Sequence, residues 1–294
     1  LGIREQFQLE AQLLMRSHPP NIPRGYDHFE AHNHAYLVMD YVEGHDLEQM
    51  LATSLAQRQR PVDEGQVLRW LLPICDALHE MHTQPVPIIH RDIKPANIKL
   101  NGQGVPILID FGLAKLSLPG PTNQAAQGVT PGYAPPEQYL AQGKTDPRTD
   151  IYGMGATMYT LLTGREPPEA PNRLLTKSGH TGEPMVPARL LNPAISASTA
   201  NIIDKAMSIG TSQRHQSARE LQNDLAASLR RLEYGRFPVA GGAQTGPLAS
   251  SSYGATQRRT AVRVPSADPA TSLPPIADQP TLPPSFMDQP TMPP

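Results

Sequence analysis

Apolar positions along the chain form two kinds of pattern, and each predicts a different element. In "REQFQLEAQLLMRS" (4–17), Phe7, Leu9, Leu13 and Leu14 form a helical stripe interrupted by Glu10. "AYLVMDYVEG" (35–44) is a short apolar, β-branched run of strand length closed by a glycine turn. "EGQVLRWLLPICDALHEMH" (64–82) reads as a long amphipathic helix, with Pro73 expected to kink it or mark an irregular turn. Short runs follow at "PIIH" (87–90), "NIKL" (97–100) and "PILIDFG" (106–112), each of strand length. Beyond residue 150 the pattern becomes helical: "DIYGMGATMYTLLTG" and "STANIIDKAMSIG" read as buried helices, "SARELQNDLAASLRRL" as an amphipathic terminal one. Strands first and helices afterwards predict an α+β fold rather than a wound parallel sheet.

Near residue 234 the patterning stops. From Gly235 onward Pro, Ser, Thr, Gly and Ala dominate, and 12 prolines fall in the last 57 residues. Such a segment buries too little apolar surface to offset its ordering entropy, so 233–294 is expected to be a disordered tail or linker. It ends in a near-repeat, "DQPTLPP" at 278–284 and "DQPTMPP" at 288–294, read as a linear motif. With 25 basic and 27 acidic residues the net charge is −2, which gives no footprint for nucleic acid. The single cysteine, Cys75, excludes an internal disulfide framework and fits a reducing compartment. No run of 18 apolar residues exists in the sequence. The histidines 45, 79, 82 and 180 show no ligand spacing and are read as solvated or hydrogen-bonded. Met39 and Met50 are read as core fillers.

One stretch resists a packing explanation. "IIHRDIKPANIKL" (88–100) sets His90, Arg91, Asp92, Lys94 and Asn97 between two apolar runs. Burying so much charge in a strand is costly, so a polar loop gripped by hydrophobic anchors is expected. Asp110, in "DFG", follows Asn97 by 13 residues. Hard oxygen donors suit Mg²⁺, and a lysine point charge suits a transferring phosphoryl group.

With these motifs the chain resembles the eukaryotic-type (Hanks-type) serine/threonine protein kinases of bacteria. The resemblance implies a bilobal fold of which residues 1–43 form part of the N-lobe, lacking its first three strands, and 44–232 the mainly helical C-lobe. It assigns Asp92 to the substrate hydroxyl, Lys94 to the phosphate, and Asn97 and Asp110 to Mg²⁺ or Mn²⁺, with His90, Phe111 and Gly112 as motif neighbours. "GVTPGYAPPEQ" (128–138) resembles the end of an activation segment. Thr130 there would contact Asp92 and Lys94, and Glu137 would pair with Arg214. Asp150 would clamp the backbone of the catalytic loop. Met39 falls at the gatekeeper, Asp40 to Val42 form the hinge that meets adenine of ATP, and Lys99 lies near the adenine floor. Glu10 matches the helix glutamate that pairs with a phosphate-binding lysine. Neither that lysine's strand nor a G-x-G-x-x-G loop occurs in the sequence. A clipped reading frame is the expected reason, and a non-catalytic scaffold the alternative. A small-molecule phosphotransferase shares the aspartate and asparagine loop but not the "PPE" segment or Lys94.

The implied partners are protein substrates bearing Ser or Thr, a second copy for autophosphorylation, and phosphothreonine-reading domains docked on the tail. Thr122, Thr130, Thr281 and Thr291 are candidate phosphosites, and Arg91 a candidate phosphothreonine ligand. The expected location is cytoplasmic, with a membrane tether if the protein continues past Pro294.

Overall fold

The structure is a computed structural model that describes residues 11–12, 15, 19–32, 34–110, 129–140, 143–177, 182 and 184–234. All of them lie within one compact unit, Leu1–Ala240. Glu10, Phe111, Gly112, Thr122, Thr281, Thr291 and His180 lie outside the described residues, as does the tail beyond Tyr234.

Strands β1 (Gly25–Ala31) and β2 (His34–Met39) form an antiparallel pair. Phe29 sits opposite Tyr36, and their rings stack at 5.1 Å. The apolar run expected over 35–44 is therefore a strand only to Met39, and its remainder is the link between lobes. Gly44 closes that link with φ +125°, and a Cβ there would lie 1.9 Å from the Leu100 carbonyl oxygen, so only glycine fits. Strand β3 (His45–Asp46) then pairs with β4 (Ile98–Leu100), which pairs with β5 (Pro106–Leu108). Asp46 also caps helix α1 (Leu47–Arg58): its carboxylate accepts the Gln49 N–H at 2.8 Å while the Gln49 side chain accepts the Asp46 N–H.

Helix α2 (Glu64–His82) runs unbroken through Pro73, where the sequence predicted a kink or an irregular turn. One missing backbone bond is outweighed by the burial of Val67, Leu68, Leu71, Ile74, Cys75, Leu78 and Met81 along the same face. "PIIH" is not a strand. Ile88 and Ile89 are buried, but Pro85 and Pro87 cannot donate, and the Ile88 N–H turns back onto the Met81 carbonyl at 3.1 Å.

Helix α3 (Pro147–Thr163) is the axis of the C-lobe, buried at every residue from Thr149 to Thr163. Two glycines let it approach its neighbours closely. A Cβ at Gly153 would sit 3.0 Å from the Ile93 carbonyl oxygen, and one at Gly155 would sit 2.8 Å from Ala206 and Met207. Around it lie α4 (Ala170–Lys177), α5 (Ala188–Leu191), α6 (Ala197–Ala206) and α7 (Ala218–Tyr234). The apolar core joins α2, α3, α6 and α7 through residues such as Leu71, Tyr152, Ile203 and Leu225. Among the described residues no helix is long and apolar enough to cross a membrane.

Candidate active site

The charged stretch 90–97 is a loop with buried anchors. Ile89 and Ile93 are 5% and 2% exposed and Ile98 is fully buried; between them His90 and Asn97 are buried as well, while Arg91, Asp92 and Lys94 are half-buried. The loop closes in a 3₁₀ turn, Pro95–Asn97, with proline at its start and the Asn97 N–H on the Lys94 carbonyl at 3.0 Å.

Three side chains converge on Asp92. The Thr130 hydroxyl donates to its Oδ1 at 2.7 Å, and the Asn97 Nδ2 donates to its Oδ2 at 3.0 Å and to its backbone carbonyl at 2.8 Å. Lys94 Nζ lies 3.2 Å from Asp92 Oδ2 and donates to Thr130 Oγ1 at 3.2 Å. The Asp92 side chain keeps 12% of its exposure, so the carboxylate is ringed by donors yet reachable.

Beneath this cluster the backbone is clamped. Asp150, fully enclosed, accepts the His90 and Arg91 N–H groups at 2.9 and 2.8 Å and the His82 ring at 2.8 Å. Burial alone would raise its carboxyl, but the His82 hydrogen bond, the neighbouring histidines and the Arg91 N–H carry it below the usual carboxylate range. The grip is needed because Arg91 has φ +67°. His90 contacts the Ile109 carbonyl at 3.0 Å, and the Ile109 N–H donates to the Asn97 carbonyl at 2.9 Å. These bonds bring the exposed Asp110, itself at φ +56°, beside the Asn97 end of the loop.

The segment carrying Thr130 has its own fastening. Glu137 and Arg214 make a two-pronged pair at 2.6 and 3.0 Å, with the guanidinium fully buried and three carbonyls taking its other protons. Tyr133 donates its hydroxyl to Thr160 Oγ1 of α3 at 3.1 Å, and burial pushes that phenol well above its ordinary value.

At the link between lobes, Met39 ends β2 and the Asp40 N–H donates to the Arg24 carbonyl at 2.9 Å. The Tyr26 hydroxyl and the Arg24 N–H hold the Asp40 carboxyl below the usual range and turn it toward β1. The Val42 N–H and carbonyl take no backbone partner among the described residues. Lys99 is half-buried, its ammonium 5.5 Å from the centre of the Tyr41 ring.

The family model described as "Protein kinase domain" matches residues 2–225. This chain belongs to the protein kinase family. Its relatives include the serine/threonine-protein kinase PknA of Nostoc sp., 35% identical over 229 residues, covering 74% of this chain and 38% of the relative. PknB of Mycobacterium tuberculosis is 31% identical over 243 residues, covering 80% and 37%. The chain therefore spans well under half the length of these relatives. Among solved structures, "PpkA-294 apo form" superposes with a TM-score of 0.60 at 29% identity, covering 75% of this chain and 74% of that one. The kinase domain of M. tuberculosis PknI shares the fold, with a TM-score of 0.59 at 24% identity.

In this chain the structure brings together Asp92, Lys94, Asn97 and Thr130, ties Asp150 beneath them and joins Glu137 to Arg214. Sequence reasoning missed His82, Gln138 and Thr145. His82 supports Asp150 from 68 residues away, Gln138 Nε2 donates to the Arg91 carbonyl at 2.9 Å, and Thr145 accepts from the Arg91 guanidinium at 3.1 Å. The run "ALHEMH" alone offered a signal for His82, as a histidine on the buried face of α2.

Proposed function

We propose that this chain is the catalytic core of a serine/threonine protein kinase that transfers the γ-phosphoryl group of ATP to protein hydroxyls. The observation that carries the reading is the ring of donors on Asp92. Lys94, Asn97 and the Thr130 hydroxyl fix the orientation of its carboxylate, which stays reachable from solvent and suits it to accept a hydroxyl proton. The acceptor Ser or Thr oxygen attacks the γ-phosphorus, the bond to the bridging oxygen of ADP breaks, and the hydroxyl proton passes to Asp92. Lys94, bonded to both Asp92 and Thr130, places its positive charge beside the transferring group.

The residues fit a divalent cation. The Asn97 amide nitrogen is committed to Asp92, which leaves its oxygen as a hard donor, and Asp110 supplies a carboxylate on the adjoining loop. Bound there, Mg²⁺ or Mn²⁺ neutralises phosphate charge. The Val42 backbone groups, the Asp40 carbonyl and the neighbouring Met39 and Lys99 are the proposed adenine contacts. The reading extends to autophosphorylation between two copies at Thr122, Thr130, Thr281 or Thr291, to phosphothreonine-reading partners for the duplicated "DQPT" of the tail, and to a cytoplasmic setting.

The test is transfer from γ-labelled ATP by the full reading frame to peptides that differ only in one residue, Ser, Thr, Tyr or Ala. Label on the Ser and Thr peptides alone supports the proposal. Label on tyrosine, or ATP binding without transfer, contradicts it, and the latter favours a scaffold.

A further inference from the structure

Arg91 stands next to the catalytic aspartate in a conformation that a non-glycine residue seldom keeps, φ +67°. Such a residue persists only where its surroundings over-determine it. Three separate parts of the C-lobe do so: the Asp150 carboxylate takes its N–H at 2.8 Å, the Gln138 side chain donates to its carbonyl at 2.9 Å, and Thr145 Oγ1 takes its Nε–H at 3.1 Å. A fourth, longer bond runs from Nη1 to the Ile89 carbonyl at 3.4 Å.

Thr145 is itself held firmly. The next residue, Asp146, caps α3: it accepts the Arg148 N–H at 2.8 Å, and its own N–H reaches Thr149 Oγ1, which donates to Glu137. Thr145 thus joins the capped start of α3, tied through Thr149 to Glu137, to the guanidinium of Arg91, the residue before Asp92.

Building on the kinase reading, we infer that Thr145 is a positioning residue for phosphoryl transfer, acting through Arg91 to hold Asp92 in line. It makes no contact with Asp92 among the bonds described, so its effect falls on the turnover step and leaves ligand affinity alone. Thr145→Val keeps the shape of the side chain and removes the acceptor, and Thr145→Ser restores it. In the full reading frame, Thr145→Val should lower kcat about tenfold with KM for ATP and peptide within about twofold of the parent. Thr145→Ser should recover most of the loss, and both variants should unfold within a few degrees of the parent. Unchanged kcat in Thr145→Val overturns the inference. So does a loss that Ser fails to restore, or one that tracks a fall in the unfolding temperature. An inactive parent protein condemns the kinase reading itself, which separates the two failures.

Discussion

Single residues here have their ionisation set by what encloses them, and two of them link folding to pH. His215 is fully enclosed, and burial together with Lys205 lowers its pKa against the opposing pull of Asp224 and Glu220. The unfolded chain therefore takes up a proton near pH 6.5 that the native chain refuses, so stability is complete above that value and declines as pH falls below it. Asp150 is depressed as well, and its contribution holds above about pH 4 and is lost on further acidification. Urea midpoints measured from pH 8 to pH 5 should fall for the parent and stay nearly level for His215→Gln; parallel slopes would rule out the linkage. At this scale Asp92, Lys94, Asn97, Asp110 and Thr130 were legible because they stand in short ordered motifs. Gln138 and Thr145 were not, since their partners lie 47 and 54 residues away and nothing local marks them; His82, 68 residues from Asp150, was marked only by its place on the buried face of α2.

Elements are joined at this site by polar ties more than by apolar contact. Arg214, just after the 3₁₀ turn Thr211–Gln213, reaches Glu137 on the segment carrying Thr130, bonds the carbonyls of Arg148, Ser208 and Ile209, and lies 5.1 Å from the centre of the Tyr152 ring. Arg214→Leu should cost about 3–5 kcal/mol, because Glu137 would keep its partly buried charge without a cationic partner. Lysine at 214 should not restore it, since the planar fork that meets both carboxylate oxygens is lost. Chemical denaturation measures the cost, and a loss below about 1 kcal/mol would show the pair to be dispensable. The long helices were readable from their apolar stripes, including α2 despite Pro73. Strand β1 was not, as "GYDHFEA" leaves most of both faces exposed, and α1 was not, because it buries only Leu47 and Leu51. The two-residue β3 is too short to carry a period, and "PIIH" misled because burial without alternation looks the same in a strand and in a packed loop.

At the scale of the molecule, α3 is the fixed body from which the 90–97 loop and the Thr130–Gln138 segment are hung. Its Asp150 grips the catalytic loop, its Thr160 takes Tyr133, and Gly153 lets Ile93 come into direct contact. The order of motifs along the chain announced this arrangement, but the distances that ring Asp92 with donors depend on folding separated segments together. If Asp92 receives the hydroxyl proton, its amide replacement should retain ATP binding while slowing transfer. The deciding measurement is the single-turnover rate of phosphoryl transfer to a Ser or Thr peptide by the full reading frame and by its Asp92→Asn variant. A fall of about a thousandfold or more, with nucleotide affinity within about threefold of the parent, is the predicted result. A variant that transfers phosphate within about threefold of the parent rate would contradict the role assigned to Asp92 and the phosphotransfer chemistry built on it.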